Sequence, residues 1–505
     1  MHPFCSYHGM NAYKALLFFC SILAGLVLLC VCFPSDGIAL GERICLRFPG
    51  LAEAMGHSEE EEEYVTNEEV DTLPAITPEE LLQMRQDSLS NMQIEKFRTF
   101  CKTDVARIYM PDDDEMYLDD LWKALQNAGK QHVRIMHYGD SQIECDRITS
   151  LLRQRFQEEF GGIGVGLVPA LQSIPTFTLS SSISPDDVPQ YLAYGPASKR
   201  LDDNFYGPLA RVTHIPEHAT INLKGIGGKD YSCSRSFSRV TVITRQPATL
   251  LITTNREGEE AQEMQLAAEA EAYFYTTSFG RAVSGITLEV QGETDILSIQ
   301  LDGETGVSMD NIPMRGSSGR DLRTINRASL RPFFNRENVR LVILQYGGNS
   351  VPYINRKMLH SFKENMKQLI RTFNELAPDA KVLFIGPADM ARNREDGTME
   401  SYPILPELND SLRAAANEAG AAFWNMYSAM GGRGSIIRWV EANPQLAGED
   451  YIHFTPLGAK KIARLLYETL HLHYRFYLFR TGQEKAELTA EDSAAVIINQ
   501  EEKTE

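Results

Sequence analysis

Three short stretches of this 505-residue chain hold residue types that can do covalent chemistry. Gly139-Asp140-Ser141 follows the apolar run Val133 to Tyr138 and precedes a helical pattern, which sets a hydroxyl at a strand-to-helix turn. A backbone amide at such a helix start favours developing negative charge, although a serine there also serves as an ordinary N-cap. Gly347-Gly348-Asn349-Ser350 directly follows a second apolar run. Its glycines allow close backbone approach and its asparagine supplies an N–H donor, although a simple strand-to-loop turn uses the same residues. Asp450-Tyr451-Ile452-His453 stands just ahead of a third helical pattern. An aspartate three residues before a histidine can bend back and hold the imidazole in one tautomer, or the two can be unrelated loop residues.

The elements that must position these residues alternate between two types. Val133 to Tyr138, Leu341 to Leu344, Val382 to Ile385 and Ala421 to Met426 are short apolar runs, each read as a strand. Helical spacing relates Ile148, Leu151, Leu152 and Phe156, and again Phe362, Met366, Leu369, Ile370 and Phe373. Leu408 to Ala419 is a further helix, and Thr455-Pro456 starts the last one, with Thr as N-cap and Pro at the first helical position. Apolar strands separated by amphipathic helices predict a parallel sheet covered on both faces. Each motif then falls at the C-terminal end of a strand or in the loop before a helix, on one edge of one sheet.

Between the two halves the period changes. Ala219 to Leu223, Arg239 to Thr244, Thr249 to Thr253, Ala272 to Thr276, Ile286 to Val290 and Leu297 to Leu301 are β-rich runs separated by turn residues, which predicts an antiparallel sandwich. Inserting a domain into a loop costs little, because closure entropy grows slowly with length. Organisation follows: 78–114 is a helical lead-in, 115–170 and 306–480 are the two parts of the α/β domain, and 171–305 is the β-rich insertion.

Ala15 to Phe33 is an apolar run of about 28 Å as a helix, near the hydrocarbon thickness of a bilayer, and reads as a membrane anchor or uncleaved signal segment behind the leader 1–14. A cleavable signal peptide is the alternative, with Ala39-Leu40-Gly41 as its small-residue site. Lys14 on one side against Arg43 and Arg47 on the other mildly favours the wrong orientation for an exported enzyme. Residues 34–77, with Glu59 to Glu63, form an acidic solvated linker, and 481–505 reads as a disordered acidic tail. Lys and Arg number 49 against 68 Asp and Glu, a net charge of −19, which argues against nucleic acid as a partner. Eight cysteines without a C-x-x-C pair make neither a disulfide scaffold nor a zinc knuckle.

In this chain order the blocks resemble the SGNH, or GDSL, hydrolase superfamily. The family's glycine block is matched by Arg315 to Asp321, with Gly319 as the counterpart and Gly316 as the competing assignment. Ser350 departs from the aspartate that usually ends the asparagine block, so the hydrogen bonds of that loop must differ. The chain lacks G-x-S-x-G, which sets it apart from α/β-hydrolases. Ser141 and Gly319 are 178 positions apart (319 − 141), far more than in compact family members. Phe160 to Gly166 and Gly306 to Asn311 are similar to stretches of bacterial peptidoglycan O-acetylesterases, which carry a carbohydrate-binding-like β-domain between these blocks.

The resemblance implies a flavodoxin-like three-layer α/β fold with an inserted antiparallel β-sandwich, and a serine-dependent carbohydrate O-acetylesterase acting on acetylated cell-envelope or other glycans. Ser141 would attack the ester carbonyl, His453 would act as general base, and Asp450 would orient the imidazole. The oxyanion would be held by the amides of Ser141 and Gly319 and by the Asn349 side chain. No metal or cofactor is called for. A glycan O-acetyltransferase with the same triad and a non-catalytic glycan-binding protein are the alternatives. The expected setting is the cell envelope, periplasmic in a Gram-negative cell, with the N-terminal segment in the membrane. His137, the other histidine near the serine, reads as packing or a supporting donor, Cys145 as buried, and Glu144 and Asp146 as complements to a helix dipole. Trp424 and Trp439 read as core, whereas Tyr231, Phe237, Tyr273 and Phe274 could stack on sugar rings or form the sandwich core.

Overall fold

The computed structural model describes residues 94–103, 107–256, 258, 260–269 and 271–483, together with a short antiparallel pair, Ile38–Ala39 with Cys45–Leu46. That pair lies in a separate unit, Met1–Leu81, and all that follows concerns the unit Leu82–Glu505. The expected membrane segment 15–33, the run Glu59 to Glu63 of the linker and residues 484–505 of the tail lie outside the described residues. Among the described residues no helix is long and apolar enough to cross a membrane.

Six strands form the central sheet: β1 (Ile108–Tyr109), β2 (His132–Gly139), β3 (Gly306–Pro313), β4 (Val339–Gln345), β5 (Lys381–Ile385) and β6 (Ala422–Trp424). Their spatial order is β3-β2-β4-β5-β6-β1. β2 to β6 run parallel, and β1 closes the edge antiparallel to β6. Counting only the parallel strands, the order is second, first, third, fourth, fifth, the flavodoxin-like arrangement, whose crevice opens between the first and third strands at their C-terminal ends.

Alternation along each strand divides the apolar runs between two cores. Odd positions such as Val133, Ile135, Leu341 and Ile343 pack with helices α1 (Asp119–Gln126), α2 (Thr149–Phe160) and the long C-terminal helix Pro456–Arg480. Even positions such as Met136, Tyr138, Val342 and Leu344 pack with α3 (Arg327–Arg336), α4 (Arg356–Leu376) and α5 (Leu405–Glu418), and Pro456–Arg480 completes the series as α6. On α4 the whole predicted face, Phe362, Met366, Leu369, Ile370 and Phe373, is buried. At roughly 1.5–3 kcal/mol per fully buried large apolar side chain, that face fixes the helix against β4 and β5.

Two antiparallel sheets make up the β-rich segment. One orders Gln265–Glu269, Ala272–Val283, Phe237–Thr244, Thr294–Asp302, Arg211–Ile215 and Gln190–Leu192, and Gly166–Val168 adds to Thr294–Asp302. The other orders Gln262–Glu263, Thr249–Thr254, Gly285–Gln291, His218–Gly225 and Leu179–Ser184. Their inner faces share one core that includes Ile221, Leu250, Leu288, Val240, Val242 and Ile299. All six runs read as strands from the sequence lie within these strands.

Two close contacts hold the α/β domain where the segment leaves and rejoins it. Gly162 and Gly306 touch backbone to backbone, since a Cβ on Gly306 would stand 2.4 Å from the Gly162 Cα. The second tie is electrostatic: the fully buried Arg134 guanidinium of β2 meets Asp302 at the end of the insertion, Asp310 of β3 at 2.7 Å and Glu337 at 3.0 Å.

Candidate active site

Ser141 opens a 3-10 turn, Ser141–Asp146, directly after β2. Asp140 caps that turn, its Oδ1 accepting from the Gln142 amide at 2.9 Å. The helix expected here starts only at Thr149, because Cys145 and Asp146 take left-handed φ angles of 62° and 63° and break the turn from α2.

His453 approaches from the loop before α6, and its Nε2 lies 2.8 Å from Ser141 Oγ. Its Nδ1 lies 2.7 Å from Asp450 Oδ2. A carboxylate can only accept there, so Nδ1 carries the ring proton and Nε2 presents its lone pair to the serine hydroxyl. The other oxygen, Asp450 Oδ1, accepts from the amides of Ile452 at 2.9 Å and His453 at 3.0 Å. One carboxylate thus folds the turn and orients the ring, which is what the D-x-x-H spacing makes possible. Burial pushes the Asp450 carboxyl up, but the bonds from the imidazole and the two amides outweigh it and hold the group below the usual carboxylate range. Thr455 then caps α6, accepting from the Gly458 amide at 3.2 Å.

Asn349 sits in the 3-10 turn Gly348–Ser350 that follows β4, across the crevice from Ser141. Its Nδ2 donates to the Ser317 carbonyl at 3.0 Å and to Asp140 Oδ2 at 3.3 Å. Ser350 serves this loop through its backbone, its carbonyl accepting from Tyr353 and Ile354 at 3.0 and 2.9 Å. Burial raises the Asp140 carboxyl to about 6, despite the Gln142 amide and the nearby His453. Ser141, Asn349 and His453 line one cleft of about 240 Å³, with Tyr346, Pro352, Tyr353, Ala388, Met390 and Met426 among its other walls. A larger hollow of about 320 Å³ lies between the turn Glu144–Asp146 and the insertion, and it contains none of those three residues.

Gly319 is placed differently from the others. Its amide is spent on Ser317 Oγ at 3.0 Å, and it is buried against Tyr346 and Leu369 with φ at 85° rather than lining the cleft. Gly316 is exposed and does not line the cleft either.

A model of the GDSL-like lipase/acylhydrolase family matches residues 276–461. A solved structure described as a peptidoglycan O-acetylesterase superposes with a TM-score of 0.57 at 20% identity, over 70% of this chain and 96% of that one. Residues 276–461 are thus similar to that family, and the chain shares the fold of that solved structure. A carbohydrate acetylesterase from Sinorhizobium meliloti superposes with a TM-score of 0.24 at 16% identity, over 33% of this chain and 78% of that one. No curated protein sequence matches the chain. The family match covers Gly319, Asn349, Asp450 and His453 and leaves Ser141 outside, on the far side of the β-rich segment.

Several supporting residues differ from their sequence reading. Glu144 is paired with Arg315, and Asp146 receives Arg153 and Thr178, so these acids hold loops together instead of complementing a helix dipole. Cys145 is half-buried on the larger hollow. Phe237 and Phe274 are fully enclosed in cores, and Tyr231 is buried as well, which removes them as sugar platforms; Trp424 and Trp439 are core. His137 is fully buried between Gln345 at 3.1 Å and Thr149 at 3.0 Å, and burial lowers it to about 4.

Sequence reasoning missed Gln142. Its Nε2 donates to the Ile452 carbonyl at 2.6 Å and its Oε1 accepts from the Phe454 amide at 3.5 Å, so it grips the chain on both sides of His453. A long amide directly after the G-D-S serine was the available signal, but its partners lie 310 and 312 positions away. Among the described residues no group of three or more His, Cys, Asp and Glu side chains could hold a metal ion.

Proposed function

We propose that this chain is an SGNH hydrolase that removes O-acetyl groups from glycans through an acyl-serine intermediate. Ser141 Oγ attacks the acetyl carbonyl carbon while its proton passes to His453 Nε2. The tetrahedral oxyanion is stabilised by the Ser141 amide and by Asn349 Nδ2; the Gly319 amide joins them only by exchanging its Ser317 partner for the oxyanion. Collapse breaks the ester C–O bond, and His453 returns the proton to the departing sugar oxygen. A water molecule, deprotonated by the same imidazole, then attacks the acetyl-serine, and acetate leaves as Ser141 regains its proton. Asp450 keeps the imidazole in the required tautomer and stabilises its cation.

The observation that carries this reading is the continuous chain from Ser141 through His453 to Asp450, at 2.8 and 2.7 Å. The fold shared with a peptidoglycan O-acetylesterase supports acetylated glycans as the substrate class and the cell envelope as the setting, with 15–33 as anchor or signal segment.

Turnover of a chromogenic acetyl ester tests the mechanism. Ser141→Ala and His453→Ala, each folded by circular dichroism, are expected to lose it; full activity in either would overturn the proposal. Supplying an unacetylated oligosaccharide then separates hydrolysis, which yields acetate, from transfer, which yields acetylated sugar.

A further inference from the structure

The cleft differs between floor and rim. Tyr346, Ala388, Met390 and Met426 are buried around its deep end, which leaves room for a small acyl group. At the rim stands Tyr353, 79% exposed, more than any other large hydrophobic side chain among the described residues; the next, Met116, is 60% exposed. A single exposed aromatic is ordinary on a protein surface. Tyr353 differs because it lines the cleft that holds Ser141 and His453, and because its backbone is fixed. Its amide donates to the Ser350 carbonyl at 3.0 Å, Val351 is buried beneath it, and Asn355 caps α4 by accepting from the Lys357 amide at 3.0 Å. Pro352 stiffens the same turn and also lines the cleft.

The charge of the cleft narrows the ligand. None of its described lining residues is Lys, Arg or Glu, and its single aspartate, Asp140, is buried and accepts from Gln142 and Asn349. Arg356 and Arg392, in the adjoining groove that shares Pro352, are already paired with Glu407 and Glu400, so an anionic sugar would find no unpaired counter-ion there. A neutral pyranose has one chemistry at its edge and another on its face, with hydroxyls around the ring and C–H groups above it, and a flat aromatic surface suits that face.

We infer that Tyr353, with Pro352 beside it, forms a stacking subsite for one face of an uncharged pyranose whose O-acetyl group points down to Ser141. This rests on the acetylesterase reading and adds to it the substrate's charge and the residue that selects it.

Kinetics on the full chain test the subsite, with uncharged O-acetylated chito- and xylo-oligosaccharide trimers set against ethyl acetate and phenyl acetate. Tyr353→Ala should lower the ratio of kcat/KM on the trimers to that on ethyl acetate about tenfold, through KM more than kcat. Tyr353→Trp should keep that ratio near the native value. A ratio within twofold of native in Tyr353→Ala overturns the inference. So does an equal loss in Tyr353→Trp, a loss confined to phenyl acetate, or a native chain that turns over none of the neutral trimers. Ser141→Ala is measured alongside. If it keeps native activity, the catalytic reading itself falls; if it is inactive while Tyr353→Ala is silent, only the subsite falls.

Discussion

Asn349 Nδ2 donates to the carboxyl group of Asp140 at 3.3 Å, so the residue following β4 is tied to the residue preceding the serine after β2. The same nitrogen reaches the Ser317 carbonyl at 3.0 Å, and both amide hydrogens are therefore held by the protein before substrate arrives. An ester oxygen turning into an oxyanion is a stronger acceptor than a neutral carbonyl and can draw one of them away. Asn349→Ala should lower kcat by about 10²–10³ with a much smaller change in KM. Steady-state kinetics decide it: a change confined to KM would remove Asn349 from transition-state stabilisation.

Asp450→Asn tests the tautomer argument. An asparagine oxygen can still accept the Ile452 and His453 amides, so the turn survives, but its NH₂ then faces Nδ1. The imidazole must place its proton on Nε2, where it can no longer accept from Ser141. A fall in kcat of about 10²–10⁴ is expected, with thermal unfolding little changed. Native-like kcat would show that Asp450 only shapes the loop.

Gln142→Leu keeps the side-chain bulk and removes both bonds to the His453 loop. Small displacements of a general base are costly, and kcat should fall about 10–100-fold while the protein stays folded. Gln142→Glu can still accept from the Phe454 amide but cannot donate to the Ile452 carbonyl, so it should recover little. Recovery of full activity in Gln142→Glu would contradict the role given to the Ile452 bond.

Buried Asp140 makes stability depend on pH in a stated direction. Its folded value of about 6 lies above its ordinary value near 3.8, so between them the folded chain binds the extra proton. Its contribution is present in full below about pH 4 and is lost as pH rises through about 6. Asp140→Asn abolishes that titration. Relative to native, the variant should gain on the order of 2–3 kcal/mol between pH 4 and pH 7.5, read by urea denaturation. An offset that stays constant across this range would show that Asp140 titrates normally.

Arg134 holds the β-rich segment to the central sheet through buried Asp302, and it also pairs with buried Asp310 of β3 and with Glu337. Arg134→Met would leave those acids facing one another without their central cation. A loss of about 3–5 kcal/mol in unfolding free energy is expected. A loss below 1 kcal/mol would mean that the acids are neutral or re-paired.

Much of this protein was legible in residue order, for identifiable reasons. The runs from Val133, Leu341 and Val382 are strands because continuous apolar residues need two covered faces, and the helical period of α4 follows from its single buried face. Ser141, Asn349, Asp450 and His453 were legible because their types are rare in combination, and because Asp450 and His453 lie within one turn of each other, where local geometry suffices.

Tertiary structure decided what depends on distant partners. β3 carries Ser308, Asp310 and Asn311, which leave it no continuous apolar run, yet pairing with β2 and the charge of Arg134 make it a buried strand. β1 has two residues, too few for any period, and exists through its pairing with β6. Whether Phe274 faces a sugar or a core, which acceptor takes the Gly319 amide, and which loop Gln142 grips are all set by neighbours far along the chain. Residue types state what chemistry a chain can offer, and local periodicity states which elements carry it. Only packing brings a hydroxyl and an imidazole 312 positions apart to 2.8 Å, because that distance is the sum of every register and helix seat between them.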